Sequence, residues 1–221
     1  MIPIKDDIPS SRFPAVNTAI ISANCLAFVL ELSLGNQAGA FIQSYGIVPQ
    51  RLLQNLGGEW WTIFSSMFLH GGWAHIIGNM LYLYIFGDNV EDAMGHVPYL
   101  IFYLMCGTGA AWAQVLSGPG SSVPTVGASG AIAGVLGAYL VLYPRAGVLT
   151  LIPLGFFLQV VRIPALLVLG FWIVIQFISG LASIPQAGSA TGGVAWFAHI
   201  GGVAAGLVLV KLFVGRRLTR R

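Results

Sequence analysis

Residues 195–214 read AWFAHIGGVAAGLVLVKLFV, an apolar run interrupted only by His199 and, near its end, Lys211. A bilayer core about 30 Å thick is crossed by about 20 such residues in a helix. The run therefore reads as a transmembrane span. Working outward by the same measure gives further spans near residues 14–34, 73–93, 97–116, 127–143 and 164–184, with this one beginning near 194. The expected class is an all-α polytopic membrane protein, a six-helix bundle. One domain is expected over residues 1–221, with its core at about 14–214 and short tails.

Composition points the same way. Of the 221 residues 57% are hydrophobic and 8% charged, whereas a soluble domain carries about 25% charged residues to face water. The missing water-facing surface has to face lipid. A net charge of +3 could suggest nucleic acid, but the charges sit beside apolar runs and show no interleaving of basic and aromatic residues. Cys25 and Cys106 each lie within a span, so both read as packing residues, with neither a disulfide framework nor zinc-ligand spacing. Asp6 and Asp7 precede the first apolar run, and no small-residue cleavage site follows it, so that run reads as a retained span rather than a signal peptide.

The connections give the orientation. With six spans both ends share one side, which then holds Lys5, Arg12, Arg145, Arg162, Lys211, Arg216, Arg217, Arg220 and Arg221, leaving only Arg51 opposite. Basic residues mark the cytoplasmic side. Both termini are expected in the cytoplasm of a multi-pass cell-membrane protein, with the long first loop, residues 35–72, outside. That loop carries Trp60, Trp61, Ile63, Phe64, Phe68 and Leu69, too apolar for a solvated linker, and is expected to lie partly in the membrane interface. Residues 146–163 are apolar but broken by Pro153, Gly155 and Arg162, and read as a re-entrant stretch before the fifth span.

Polar side chains inside spans are costly and usually functional. Four stand out: His75, Asn79, Ser129 and His199. A lone histidine in a soluble core is more often a packing residue; in lipid the balance reverses. A serine in a membrane helix usually bonds back to its own helix, but Ser129 opens a span, where free N–H groups and the helix dipole favour a developing anion. His75 and Asn79 are one turn apart and point the same way.

Depth links them. Ser129 lies 16 residues before Arg145 and His199 17 before Arg216, roughly 24 and 26 Å above the inner boundary at 1.5 Å per residue. His75 lies 13 residues before Asp88 and 16 before Glu91, roughly 20–24 Å by the same rise. Three spans thus bring polar groups to one level, below the outer face.

A serine and a histidine at one depth suggest a nucleophile and its base. No carboxylate is placed to orient His199, so a dyad is expected, with packing fixing the imidazole. The Ser129 N–H and the side chains of His75 and Asn79 are natural donors to an oxyanion. Gly202 and Gly206 share the face of His199 and allow close approach of another helix.

These residues resemble the rhomboid family of intramembrane proteases. The resemblance rests on Gly127-Ala128-Ser129-Gly130, on Ala198-His199 with Gly202 and Gly206, and on His70 followed by His75-x-x-Gly78-Asn79. Gly87-Asp88-Asn89-Val90-Glu91-Asp92 and Tyr143-Pro144-Arg145 look like stretches common in bacterial members. The match runs from about Gly46 to Gly206. It implies a Ser129–His199 dyad, an oxyanion site of the Ser129 N–H, His75 and Asn79, and supporting roles for Gly127, Gly130, Gly202, Gly206 and His70. It implies single-span membrane proteins as substrates, cut next to a small residue, and no cofactor or metal. Two positions depart from the family pattern. Trp61 is followed by Thr62 where an arginine is common, which bears on the anchoring of the loop. Ala133 stands where some members stack an aromatic ring on the histidine. Two rival readings stay open: a non-catalytic relative that binds membrane clients, and a small transporter.

Overall fold

A computed structural model describes residues 1–154, 157–183 and 194–214. The expected Arg216, Arg217, Arg220, Arg221 and Gly155 lie outside the described residues. Among the described residues the bundle is formed by α1 (Ala15–Ser33) and then, after the short helices α2 (Ala38–Tyr45), α3 (Pro49–Gln54), α4 (Leu56–Glu59) and α5 (Thr62–Ser65), by α6 (Trp73–Met94), α7 (His96–Ser117), α8 (Ser129–Leu142), α9 (Ala165–Ser183) and α10 (Trp196–Val214). The long helices agree with the predicted spans to within two residues at each end. By length and composition α1, α7, α9 and α10 can each cross a membrane. Helix α6 carries Asp88, Glu91 and Asp92 toward its C-terminal end, and α8 has only 14 residues.

The bundle is built around α8, buried continuously from Gly130 to Tyr139. Its closest neighbour is α10, and the reason lies in the small residues. A Cβ on Gly202 would stand 2.0 Å from the Gly130 carbonyl oxygen, and one on Gly206 2.1 Å from that of Gly134. Backbones this close gain dispersion contacts that lipid cannot supply, which is how small residues drive helix association in membranes. On its other side α10 meets α7, where a Cβ on Gly201 would stand 2.3 Å from Cβ of Ala113. Helix α1 is peripheral and exposes Leu26, Val29, Leu30 and Leu32. Cys106 is buried, as a packing residue should be; Cys25 is exposed on α1 and is not one.

The elements sort to two ends. At one, Gly95 (φ +89°) makes the single-residue turn between α6 and α7. Beside it, the buried Glu91 accepts the N–H groups of Val16 and Asn17 at 2.9 and 2.7 Å. A carboxylate from α6 thereby satisfies orphan donors at the start of α1. The same end carries β1 (Ile2–Asp6), β2 (Gly147–Leu154) and β3 (Phe157–Pro164), a three-stranded antiparallel sheet in that order. The predicted re-entrant stretch is therefore corrected to a β-hairpin, and the helical bundle carries a small sheet. Val148 and Thr150 face inward while Leu149 faces out, the period-2 alternation of a strand.

At the opposite end α2–α5 fold over the bundle. Ile63, Met67 and Leu69 point inward, while Trp60, Trp61 and Phe64 are exposed. Arg51 pins the loop, pairing with Glu59 at 2.7 Å and donating to the carbonyls of Gln43, Ser44 and Gly46. Thr62 is buried and donates to the Glu59 carbonyl at 2.7 Å. With Thr62 in place of an arginine, the loop's charged anchor in this chain is Arg51.

Candidate active site

Ser129 is the first residue of α8, after a chain reversal that needs glycine. Gly127 has φ +126°, and a Cβ there would stand 2.6 Å from Nε2 of His75. The reversal is held by the Gly127 N–H donating to the Ser66 carbonyl at 2.9 Å. The first N–H groups of α8 have no partner within the helix and concentrate positive potential beside the Ser129 hydroxyl.

Helix α10 carries His199, nearly buried, with Nε2 2.7 Å from Ser129 Oγ. Its other nitrogen, Nδ1, lies 2.6 Å from Oε1 of Gln176 on α9. The Gln176 amide nitrogen donates to the Trp172 carbonyl at 3.2 Å. That fixes the amide with its oxygen toward the imidazole, so Nδ1 carries the hydrogen and Nε2 presents its lone pair to the serine. The ring of Trp172 lies over His199, centroids 5.5 Å apart and planes 37° apart, and Trp196 meets it edge-on at 6.3 Å. The sequence predicts packing alone around the imidazole; a hydrogen bond holds it too. Ala133 is fully buried beside Gly202, and the ring that covers His199 comes from Trp172 of α9.

His75 and Asn79 approach from α6. The Gly71 N–H donates to Nδ1 of His75 at 3.3 Å, which leaves the Nε2 hydrogen facing the Gly127–Ser129 turn. Asn79 Nδ2 is 2.9 Å from Nε2 of His70. His70 Nδ1 faces the Phe68 carbonyl at 3.3 Å, and the backbone N–H of His70 donates to the Glu31 carboxylate at 3.1 Å. His70 thus ties α6, the first loop and α1 together. Burial pushes its pKa down to about 4, helped by His75, so the ring stays neutral and Nε2 remains an acceptor.

Ser129, His199, His75 and Asn79 line one cavity of about 930 Å³, together with Gly78, Tyr82, Gln114 and Trp172. Gly127 and Gly130 flank the serine; Gly202 and Gly206 set the helix approach described above; His70 stands behind Asn79. Gln176 and Trp172 are missing from the sequence-based set. Gln176 had a readable signal, a strongly polar side chain inside an apolar span, which a search for carboxylates passes over. Trp172 had none, being one apolar residue among many.

The family model of the Rhomboid domain matches residues 57–216. Among curated proteins the chain is similar to Rhomboid-like protein 11, chloroplastic, of Arabidopsis thaliana, 29% identical over 197 residues, 86% of this chain and 65% of that protein. It is 31% identical over 226 residues to RHOMBOID-like protein 4 of the same plant, 90% of this chain and 52% of the relative. Over 113 residues it is 35% identical to the Rhomboid protease GluP of Bacillus subtilis, 51% of this chain and 21% of GluP. The chain thus spans between about a fifth and two thirds of the length of these relatives. Plant and bacterial proteins both appear, so a bacterial type is not singled out.

Proposed function

Since this chain belongs to the rhomboid family of intramembrane serine proteases, we propose that it is itself a serine endopeptidase, cleaving peptide bonds in or near transmembrane helices of other membrane proteins. The observation that carries the reading is the 2.7 Å approach of Ser129 Oγ to the lone pair of His199 Nε2, inside a cavity whose wall is the start of a helix.

In this reading Ser129 Oγ attacks the scissile carbonyl carbon while its proton passes to Nε2. The electron pair moves onto the carbonyl oxygen, where the Ser129 N–H, the Nε2 hydrogen of His75 and the free amide hydrogen of Asn79 receive it. Collapse breaks the C–N bond, and the Nε2 proton leaves with the amine. Water then repeats the sequence on the acyl-serine, giving its proton to Nε2, and the serine is restored. The substrates are single-span membrane proteins whose helices unwind easily, cut beside a small residue. The chain lies in the cell membrane with both ends cytoplasmic. Support for that orientation comes from β1 pairing with β2, which puts Lys5, Arg145 and Arg162 at one end of the bundle and Arg51 at the other.

The test is cleavage of a generic transmembrane substrate in liposomes, with fluorophosphonate labelling in parallel. Wild type should cleave and label; Ser129→Ala and His199→Ala should do neither while remaining folded. Cleavage surviving Ser129→Ala overturns the assignment. Folded wild type that neither labels nor cleaves would favour the client-binding alternative.

A further inference from the structure

Resting on that reading of Ser129 and His199, we propose that Gln176 is the positioning residue of the base, a neutral amide acting where soluble serine hydrolases place a carboxylate. Gln176 is 5% exposed, in the middle of an apolar helix. A buried amide is costly unless its hydrogen bonds are satisfied, and here both ends of it are used, one by the Trp172 carbonyl and one by His199. Turning the amide over would set its oxygen against the Trp172 carbonyl oxygen, so its own helix dictates which atom meets the imidazole.

Two consequences follow for His199. An imidazole with no fixed partner divides between tautomers, and the one protonated on Nε2 cannot accept the serine proton. The acceptor on Nδ1 selects the productive form. As Nε2 takes the proton, the ring becomes cationic and its Nδ1 hydrogen bond strengthens, because charge-assisted bonds are roughly twice as strong as neutral ones. The gain is made in the transition state, where it accelerates reaction. A neutral partner also suits the setting, since an ionised carboxylate inside a span is expensive. Trp172, one turn earlier on the same helix, covers the ring face. Helix α9 therefore holds the base by its edge and its face.

The experiment measures kcat and KM for a transmembrane substrate, and the fluorophosphonate labelling rate, for Gln176→Met, Gln176→Asn and Gln176→Glu. Thermal unfolding in detergent serves as the check on folding. Methionine keeps the volume without the acceptor, asparagine withdraws it by one methylene, and glutamate keeps an oxygen on Nδ1 whether or not it is protonated. Partners that orient a metal-bound imidazole are worth about 10- to 100-fold, and a fall of that order is expected in kcat and labelling rate for Gln176→Met and Gln176→Asn, with KM unchanged. Gln176→Glu should recover most of the loss. Wild-type kcat in a folded Gln176→Met overturns the proposal, as does a Gln176→Glu no faster than Gln176→Met. If Gln176→Met does not fold, the comparison of asparagine with glutamate decides. The Ser129→Ala control separates the two claims: if it still cleaves, the protease reading itself fails, whatever Gln176 does.

Discussion

The side chains of His70, His75 and Asn79 show how neighbouring polar groups take different tasks. His70 spends Nδ1 on a carbonyl and accepts from Asn79 on Nε2, whereas His75 accepts on Nδ1 and turns its Nε2 hydrogen toward the serine. Asn79 gives one amide hydrogen to His70 and keeps the other for the cavity. Replacing it by alanine removes one oxyanion donor and leaves Ser129, His199 and His75 untouched. Losing a single such donor costs about 2.7–4 kcal/mol of barrier, or about 10²–10³ in kcat. Asn79→Ala should therefore slow cleavage by about that factor with KM nearly constant, and it should still label with fluorophosphonate. A wild-type kcat would remove Asn79 from the oxyanion site. Ser129, His199, His75 and Asn79 are legible in the sequence because lipid makes polar side chains conspicuous. Gln176 is as conspicuous as Asn79, an amide in an apolar run, but the partner expected beside an imidazole is a carboxylate, and the contacts made by Trp172 depend on a helix pairing that no local pattern encodes.

At the scale of elements, the apolar runs announce their helices because each is close to a bilayer in length, and their ends fall near glycine, proline or polar residues. The sheet was hidden for two reasons. Its outward face is itself apolar, with Ile2, Leu149 and Val160 all exposed, so the alternation between buried and exposed leaves no polar signature. Its first strand also pairs with residues about 145 positions away, beyond any local reading. The glycines of α10, by contrast, could be read as an approach surface, and their geometry makes a prediction. Gly202 lies three residues after His199, and a Cβ there would overlap the Gly130 carbonyl. Gly202→Ala must therefore push α10 off α8 by an ångström or more, and misplacement of about 1 Å costs about 10²-fold. Cleavage and fluorophosphonate labelling should both fall by at least that factor, although Ser129, His199 and Gln176 are unchanged. Labelling at the wild-type rate would show that the two helices can separate without disturbing the pair.

For the whole molecule, the two ends respond to pH in opposite senses. In the first loop, burial lowers the folded pKa of His70 to about 4. Its contribution to stability is complete above the ordinary histidine value of about 6.5 and is lost as pH falls from there through 4, because the unfolded chain then binds the proton more readily. Around the sheet the sign reverses. Asp6 on β1 is buried, and that burial lifts its carboxyl to about 6, against the opposing hydrogen bond from Tyr139 and with help from the nearby Asp88. A raised carboxyl pKa favours folding below the ordinary value of about 3.9, and this advantage disappears as pH rises through 6. Near neutrality the folded state therefore holds Asp6 ionised at a cost. Asp6→Asn keeps an acceptor for the Tyr139 hydroxyl and removes the titration. Thermal unfolding in detergent should show Asp6→Asn more stable than wild type at pH 7.5 and nearly equal to it at pH 4, with the difference opening between the two. A gain of equal size at both pH values would trace the effect to packing of the strand and leave the Asp6 carboxyl without a part in the pH dependence.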